Sequence, residues 1–282
     1  MSRQLISMVT QQSSGLSEGA FGGSEDTVRT ERHRSQQTDT KYGRRPLSWA
    51  AESGHKEMVE KLLERNDINP NTADPQSGRT PLSWAAQRGH EGVVEKLLEQ
   101  DNVGPNKADA QYGRTPLVWA ASGGHEGVVE KLLERNDTNP NIADAQYGQM
   151  PLSWVAKNGH EGVVTVLLGR NDVDPSVADT EYGQTPLSLA AENGYGAAVK
   201  MLLERNNVGP KRADIQYGQA PLAWAASGSY GGIMETLLSR CAQYGPTPLV
   251  WAAESGRKGM VEVLLKRNDA PTKLTPNTTE HP

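Results

Sequence analysis

Four histidines, His55, His90, His125 and His160, recur every 35 residues. Histidine is the usual side chain for binding zinc or moving a proton at neutral pH. Five aspartates, Asp74, Asp109, Asp144, Asp179 and Asp214, keep the same spacing, and carboxylates gathered in one place would suit calcium. The spacing itself argues against both. Equivalent positions on stacked helical layers lie about 8–10 Å apart, whereas zinc ligands must each approach to about 2 Å. The histidines are therefore expected to hold the turn that opens a helix, and the aspartates to organise loops by bonding nearby backbone. Cys241, the one cysteine, has no histidine close to it in sequence and is expected to be a free thiol. No His-Glu-x-x-His helix or Gly-x-Gly-x-x-Gly turn occurs. The expectation is no catalytic residue, no metal and no cofactor.

These residues belong to a period. Pro-Leu begins at Pro46, Pro81, Pro116, Pro151, Pro186 and Pro221, each 35 residues after the last, and again at Pro248. Tryptophan follows three residues later at Trp49, Trp84, Trp119, Trp154, Trp224 and Trp251, with Leu189 in the one gap. In the unit from Ser77 to Gln111, Thr80 suits an N-cap and Pro81 the first helical turn. Gly89 suits a left-handed C-cap, so a helix is expected over 81–88. A second is expected from Glu91 to about Gln100, with Val93, Val94, Leu97 and Leu98 on one stripe. The Asn-, Asp-, Gly- and Pro-rich stretch to Gly113 reads as a finger-like loop. Helices this short are marginal alone in water, so they must bury their stripes against each other and against the next unit.

Thr80-Pro81-Leu82-Ser83-Trp84-Ala85-Ala86, followed by Gly89-His90-Glu91-Gly92-Val93-Val94, closely resembles the ankyrin repeat, whose first helix reads Thr-Pro-Leu-His-x-Ala-Ala and whose second follows Gly-His. The resemblance runs from Tyr42 to about Asp269. It implies an all-α solenoid of seven helix-turn-helix repeats with short finger loops, starting near 42, 77, 112, 147, 182, 217 and 244. The Trp-bearing variant is similar to long arrays in fungal signalling proteins, which often adjoin a nucleotide-binding domain. No Gly-Lys-Ser/Thr phosphate loop is present in this chain. Some copies depart from the pattern. The family's helix-1 histidine is replaced by Ser48, Ser83, Val118, Ser153, Ser188, Ala223 and Val250. The capping threonine is replaced by Arg45, Met150 and Ala220. Eight finger residues are missing after Arg240, so the last interface is expected to be skewed or loosely packed. Residues 1–41, rich in Ser, Gln, Thr and Gly with five cationic and five acidic side chains, are expected to be disordered. Residues 271–282 are expected to form a flexible tail, leaving 42–270 as the array.

Formal charge is −5, which argues against a general nucleic-acid or anionic-membrane binder. No apolar run approaches a membrane span. Leu5 to Val9 is too short for a secretory core, so an intracellular location, cytoplasmic or nuclear, is expected. On an ideal helical wheel Trp84 points well away from Leu82, which predicts tryptophans wedged against the neighbouring repeat as a structural ladder. A partly exposed aromatic strip gripping a partner is the other reading. Positions that vary between otherwise similar copies are the best sequence pointer to function. One reads Glu52, Gln87, Ser122, Lys157, Glu192, Ser227 and Glu254 along the first helices; another reads Thr72, Lys107, Ile142, Val177 and Arg212 along the fingers. Their variety suggests side chains that are not packed, either drifting in solvent or patterned for a partner. The resemblance implies that finger tips and inner helices are the contact surface, with Ile142 and Val177 as its apolar centre. The expected function is non-enzymatic binding of an unidentified protein. A self-associating array, or an eroded piece of a larger signalling protein with no partner of its own, are the alternatives.

Overall fold

A computed structural model describes residues 44–210, 212–216, 218–228, 230–241, 253, 256 and 258–266. The expectations for residues 1–41 and 271–282, and for Trp251 and Glu254, lie outside the described residues. Six helix pairs follow one another: α1 (Pro46–Ser53) with α2 (Lys56–Leu63), α3 (Pro81–Arg88) with α4 (Glu91–Leu98), α5 (Pro116–Gly123) with α6 (Glu126–Glu134), α7 (Pro151–Asn158) with α8 (Glu161–Leu168), α9 (Pro186–Glu192) with α10 (Gly196–Leu203), and α11 (Pro221–Ser227) with α12 (Gly231–Cys241). A last described helix, α13, spans Lys258–Lys266. Each first helix packs on the next first helix, and each second helix on the next second. The described residues contain no strand.

Local chemistry accounts for the helix ends. Thr80, Thr115 and Thr185 each accept from the backbone N–H three residues on, and a proline occupies the first turn. Such a cap is worth about 1 kcal/mol. Ser83 and Ser188 add hydroxyl contacts to Thr80 and Thr185 at 3.0 and 3.1 Å, so serine serves where the family pattern has histidine. Arg45, Met150 and Ala220 make no such cap. Beside Met150 the buried Ser153 hydroxyl has no partner, because the threonine that would face it is missing.

One continuous apolar core threads the stack, formed by alanines and leucines of the first helices and valines and leucines of the second. Helix α12 runs eleven residues against eight or nine in the other second helices. It continues through the position where they give way to a finger, as the shortened sixth repeat requires. Leu264 of α13 joins the core, while the chain from 242 to 250 that connects them lies outside the described residues.

Candidate functional site

The tryptophans and aspartates found separately in sequence are one device. Trp84 Nε1 donates to Asp74 Oδ2 at 3.1 Å. Trp119 does the same to Asp109 at 3.0 Å, Trp154 to Asp144 at 2.8 Å and Trp224 to Asp214 at 3.0 Å. In every pair the aspartate lies ten residues earlier, at the start of the finger hairpin. Its other oxygen accepts from hairpin backbone, as Asp109 Oδ1 does from Gln111 and Tyr112 N–H at 2.9 and 2.7 Å. Each carboxylate thus folds a finger and fastens it to the next helix, which confirms the loop-organising reading. Burial alone would raise the Asp74 carboxyl. Hydrogen bonds from Ser77 and Trp84 and the nearby Arg44 charge outweigh it and hold the group below the usual carboxylate range.

The wheel wedged Trp84 against the neighbouring repeat, and the structure places arginines on the ring. Arg44 lies 4.9 Å from the Trp49 ring and 3.9 Å from Trp84. Arg79 lies between Trp84 and Trp119 at 4.6 and 3.9 Å, and Arg114 between Trp119 and Trp154 at 4.7 and 4.1 Å. Planar guanidinium stacked on indole is favourable both as cation–π and as dispersion contact. Trp84 and Trp119 are buried, while Trp49, Trp154 and Trp224 are half-buried. Arginines that the sequence reading passed over thus lie in series between Trp49, Trp84, Trp119 and Trp154. The signal was there: Arg44, Arg79 and Arg114 follow the hairpin glycine in the first three repeats, and Gln149, Gln184 and Gln219 in the next three.

Histidine acts between repeats rather than only at its own turn. Nε2 of His90, His125 and His160 faces the backbone carbonyls of Glu52, Gln87 and Ser122 at 2.9, 3.0 and 3.1 Å. A carbonyl only accepts, so that nitrogen carries the proton. The ring also covers the preceding C-cap glycine. A methyl added at Gly89, whose φ is +74°, would stand 2.5 Å from His125 Nδ1. No three metal-binding side chains come together among the described residues.

Fingers are joined by backbone and asparagine. The N–H groups of Ala110, Ala145 and Ile215 donate to the carbonyls of Ser77, Tyr112 and Tyr182 at 2.9–3.0 Å. Asn106 accepts from Asn139 N–H at 2.8 Å and donates to the Asp137 carbonyl at 2.6 Å.

Against this framework the variable positions are less free than their variety suggested. Glu52 is held by Arg44 and by Arg88, the latter at 2.8 Å, and its side chain is only 14% exposed. Gln87 accepts from Arg79 at 2.7 Å, and Glu192 from Gln184 at 2.8 Å. Each is bonded to the residue eight positions earlier, so these three side chains are not free in solvent. Lys157 Nζ lies 5.7 Å from the Tyr147 ring and 5.3 Å from Trp154. Lys107 and Arg212 reach back to the preceding finger, bonding the Asn71 and Ser176 carbonyls at 3.0 and 2.9 Å. Ile142 is half-exposed and Val177 is 38% exposed. At the next finger's tip Ile215, which the sequence reading did not single out, is 86% exposed.

Nothing in the described residues resembles a small-molecule cleft. A hollow beside Arg45, Ile68 and Pro81 has a volume of ≈ 10 Å³, room for about one water. A second, of ≈ 250 Å³ between α2 and α4, is lined mainly by Glu60, Glu64, Lys96 and Glu99. No described helix is long and apolar enough to cross a membrane.

Among curated proteins none matches the chain. A family model described as ankyrin repeats (3 copies) matches residues 47–144 and again 136–216. Those matches span more than half of the 282 residues and fall on the helix pairs and fingers described above, so the chain belongs to the ankyrin-repeat family.

Proposed function

We propose that the array binds another protein, without catalysis, through its fingers and the first-helix face beside them. Glu52, Gln87, Lys157, Glu192, Lys107, Ile142, Val177 and Arg212 form the partner-facing set. Ankyrin repeats generally mediate protein–protein interaction, and an intracellular location is part of this reading. The observation that carries it is the apolar pair Ile142 and Val177, at one register on adjacent fingers, the first half-exposed and the second 38% exposed. A preformed surface binds without a large ordering cost, so many small contacts sum to useful affinity.

The test is affinity capture from the cells that express the chain, comparing wild type with an Ile142→Ser, Val177→Ser double variant. Val177 is exposed and Ile142 half-exposed, both on fingers outside the helices, so the helical circular dichroism is expected to be unchanged. A protein held by wild type and lost by the variant supports the proposal. An identical set of captured proteins from both baits contradicts it. One observation favours self-association as a second reading: Leu265, on the last described helix, is 60% exposed. Sedimentation that stays monomeric over a hundredfold concentration range disposes of it.

A further inference from the structure

Two cations beside the ladder, Arg114 and Lys157, make ring contacts and no ion pair among the described residues. In the first repeat Arg44 bonds Glu52, and Arg88 of the second repeat closes on the same carboxylate. In the second repeat Arg79 donates to Gln87. In the third repeat the residue eight after Arg114 is Ser122, whose hydroxyl turns to the Trp119 carbonyl at 3.0 Å. The Arg114 guanidinium is left with ring contacts but no hydrogen-bond acceptor among the described residues, and its Nε is buried without a partner. Next along the array, where the first repeat has Glu52, stands Lys157. It likewise makes ring contacts and no ion pair among the described residues.

Both charges lie on the Trp154 ring, so they are within about 10 Å of each other. The carboxylates bonded to the flanking indoles, Asp109 and Asp144, are buried and already occupied. Asp109 accepts from Gln111, Tyr112, Arg114 N–H and Trp119; Asp144 accepts from Gln146, Tyr147 and Trp154. The pattern changes sign again at the fifth repeat, where Glu192 takes the position. In a chain of formal charge −5, the middle of this face is cationic between acidic ends.

We infer that the space beside Ser122 receives a carboxylate side chain of an acidic peptide segment of the partner, held by Arg114 and Lys157 in the place that Glu52 fills in cis in the first repeat. This deepens the interaction reading and rests on it. A half-buried guanidinium binds an incoming carboxylate through charge-assisted hydrogen bonds that water and salt weaken little. The chain's own Glu52 shows the ligand chemistry that fits.

The experiment uses the full chain and a fluorescein-labelled octa-glutamate peptide, with octa-glutamine as control, followed by anisotropy and by the Arg114 Nε–H resonance. The expected result is binding of the glutamate probe alone, with that resonance shifting as it binds. Ser122→Glu supplies the carboxylate internally and is expected to weaken the probe at least tenfold; Ser122→Ala is expected to leave it unchanged. Both variants are predicted to keep the helical signal, since glutamate already occupies this position at 52 and 192. Equal affinity for wild type and Ser122→Glu, or no glutamate binding at low salt, overturns the inference and leaves the finger-variant test of protein binding standing. Probe affinity that falls as the chain itself dimerises would give the site to a second copy, and overturns it too.

Discussion

Gln149 Nε2 lies 3.4 Å from Asp179 Oδ2, the carboxylate oxygen that takes an indole N–H in four other fingers. The helix that follows Asp179 carries Leu189 where those repeats have tryptophan, so no indole is available. The glutamine stands where the first three repeats have arginine, and its amide supplies the missing donor. At this junction the loss of arginine and the loss of tryptophan go together. A guanidinium with only one indole to stack on is replaced by an amide that satisfies the orphaned carboxylate.

Gln149→Leu is therefore expected to cost about 1–3 kcal/mol, the penalty for leaving a buried acceptor unpaired. In a Leu189→Trp background the same change should cost less, because the indole returns the donor. Denaturant melts of the four chains in the cycle give the coupling. Strict additivity would mean that Gln149 does not serve Asp179.

Asp74 predicts a pH response. Its folded pKa is lowered, so it contributes stability above the unfolded value of about 3.9. That contribution is lost as pH falls through the folded value. Asp74→Asn is expected to lower the melting temperature at pH 7 and to flatten the loss of stability below about pH 4. Parallel stability–pH curves for the two chains would contradict the assignment.

How far the array could be read beforehand depended on the range of each interaction. Helix positions, the Thr80 cap and the Gly89 turn are local, and the residues from 80 to 91 specify them. The direction of Trp84 is not local: a helical wheel knows one axis, whereas the finger and Arg44 determine where the ring lies. The ten-residue spacing from Asp74 to Trp84 was visible, but only the hairpin geometry turns it into a bond. His90 misled for the same reason, since its partner is a carbonyl 38 residues earlier. The variable residues looked unpacked because Glu52, Gln87 and Ser122 differ while Arg44, Arg79 and Arg114 before them do not, so a column-by-column reading does not reveal the bonds from Arg44 to Glu52 and from Arg79 to Gln87.

Missing caps offer a gain. Ala220 is buried at an N-cap with no side-chain acceptor, in a setting that holds threonine at 80, 115 and 185. Ala220→Thr is expected to stabilise the chain by about 1 kcal/mol, seen as a higher denaturation midpoint at unchanged slope. A lower midpoint would mean that the sixth repeat has lost the space the others keep for the hydroxyl.

The shortened sixth repeat should show in hydrogen exchange. The sequence from the sixth Pro-Leu to the seventh is eight residues shorter than between the others, and the inter-finger bonds described earlier in the array need a finger. Amides in 258–266 are expected to exchange faster than those in 126–134 of α6. Equal protection in the two segments would show that the last interface is as firmly packed as the middle ones.

Hydrogen exchange on the chain saturated with its captured partner tests the binding account most directly. Slowed exchange is predicted over 139–149 and 174–184, the fingers that carry Ile142 and Val177, and over α7, with α6 and α8 unchanged. Protection confined to α4, α6 and α8, with those fingers untouched, would contradict it.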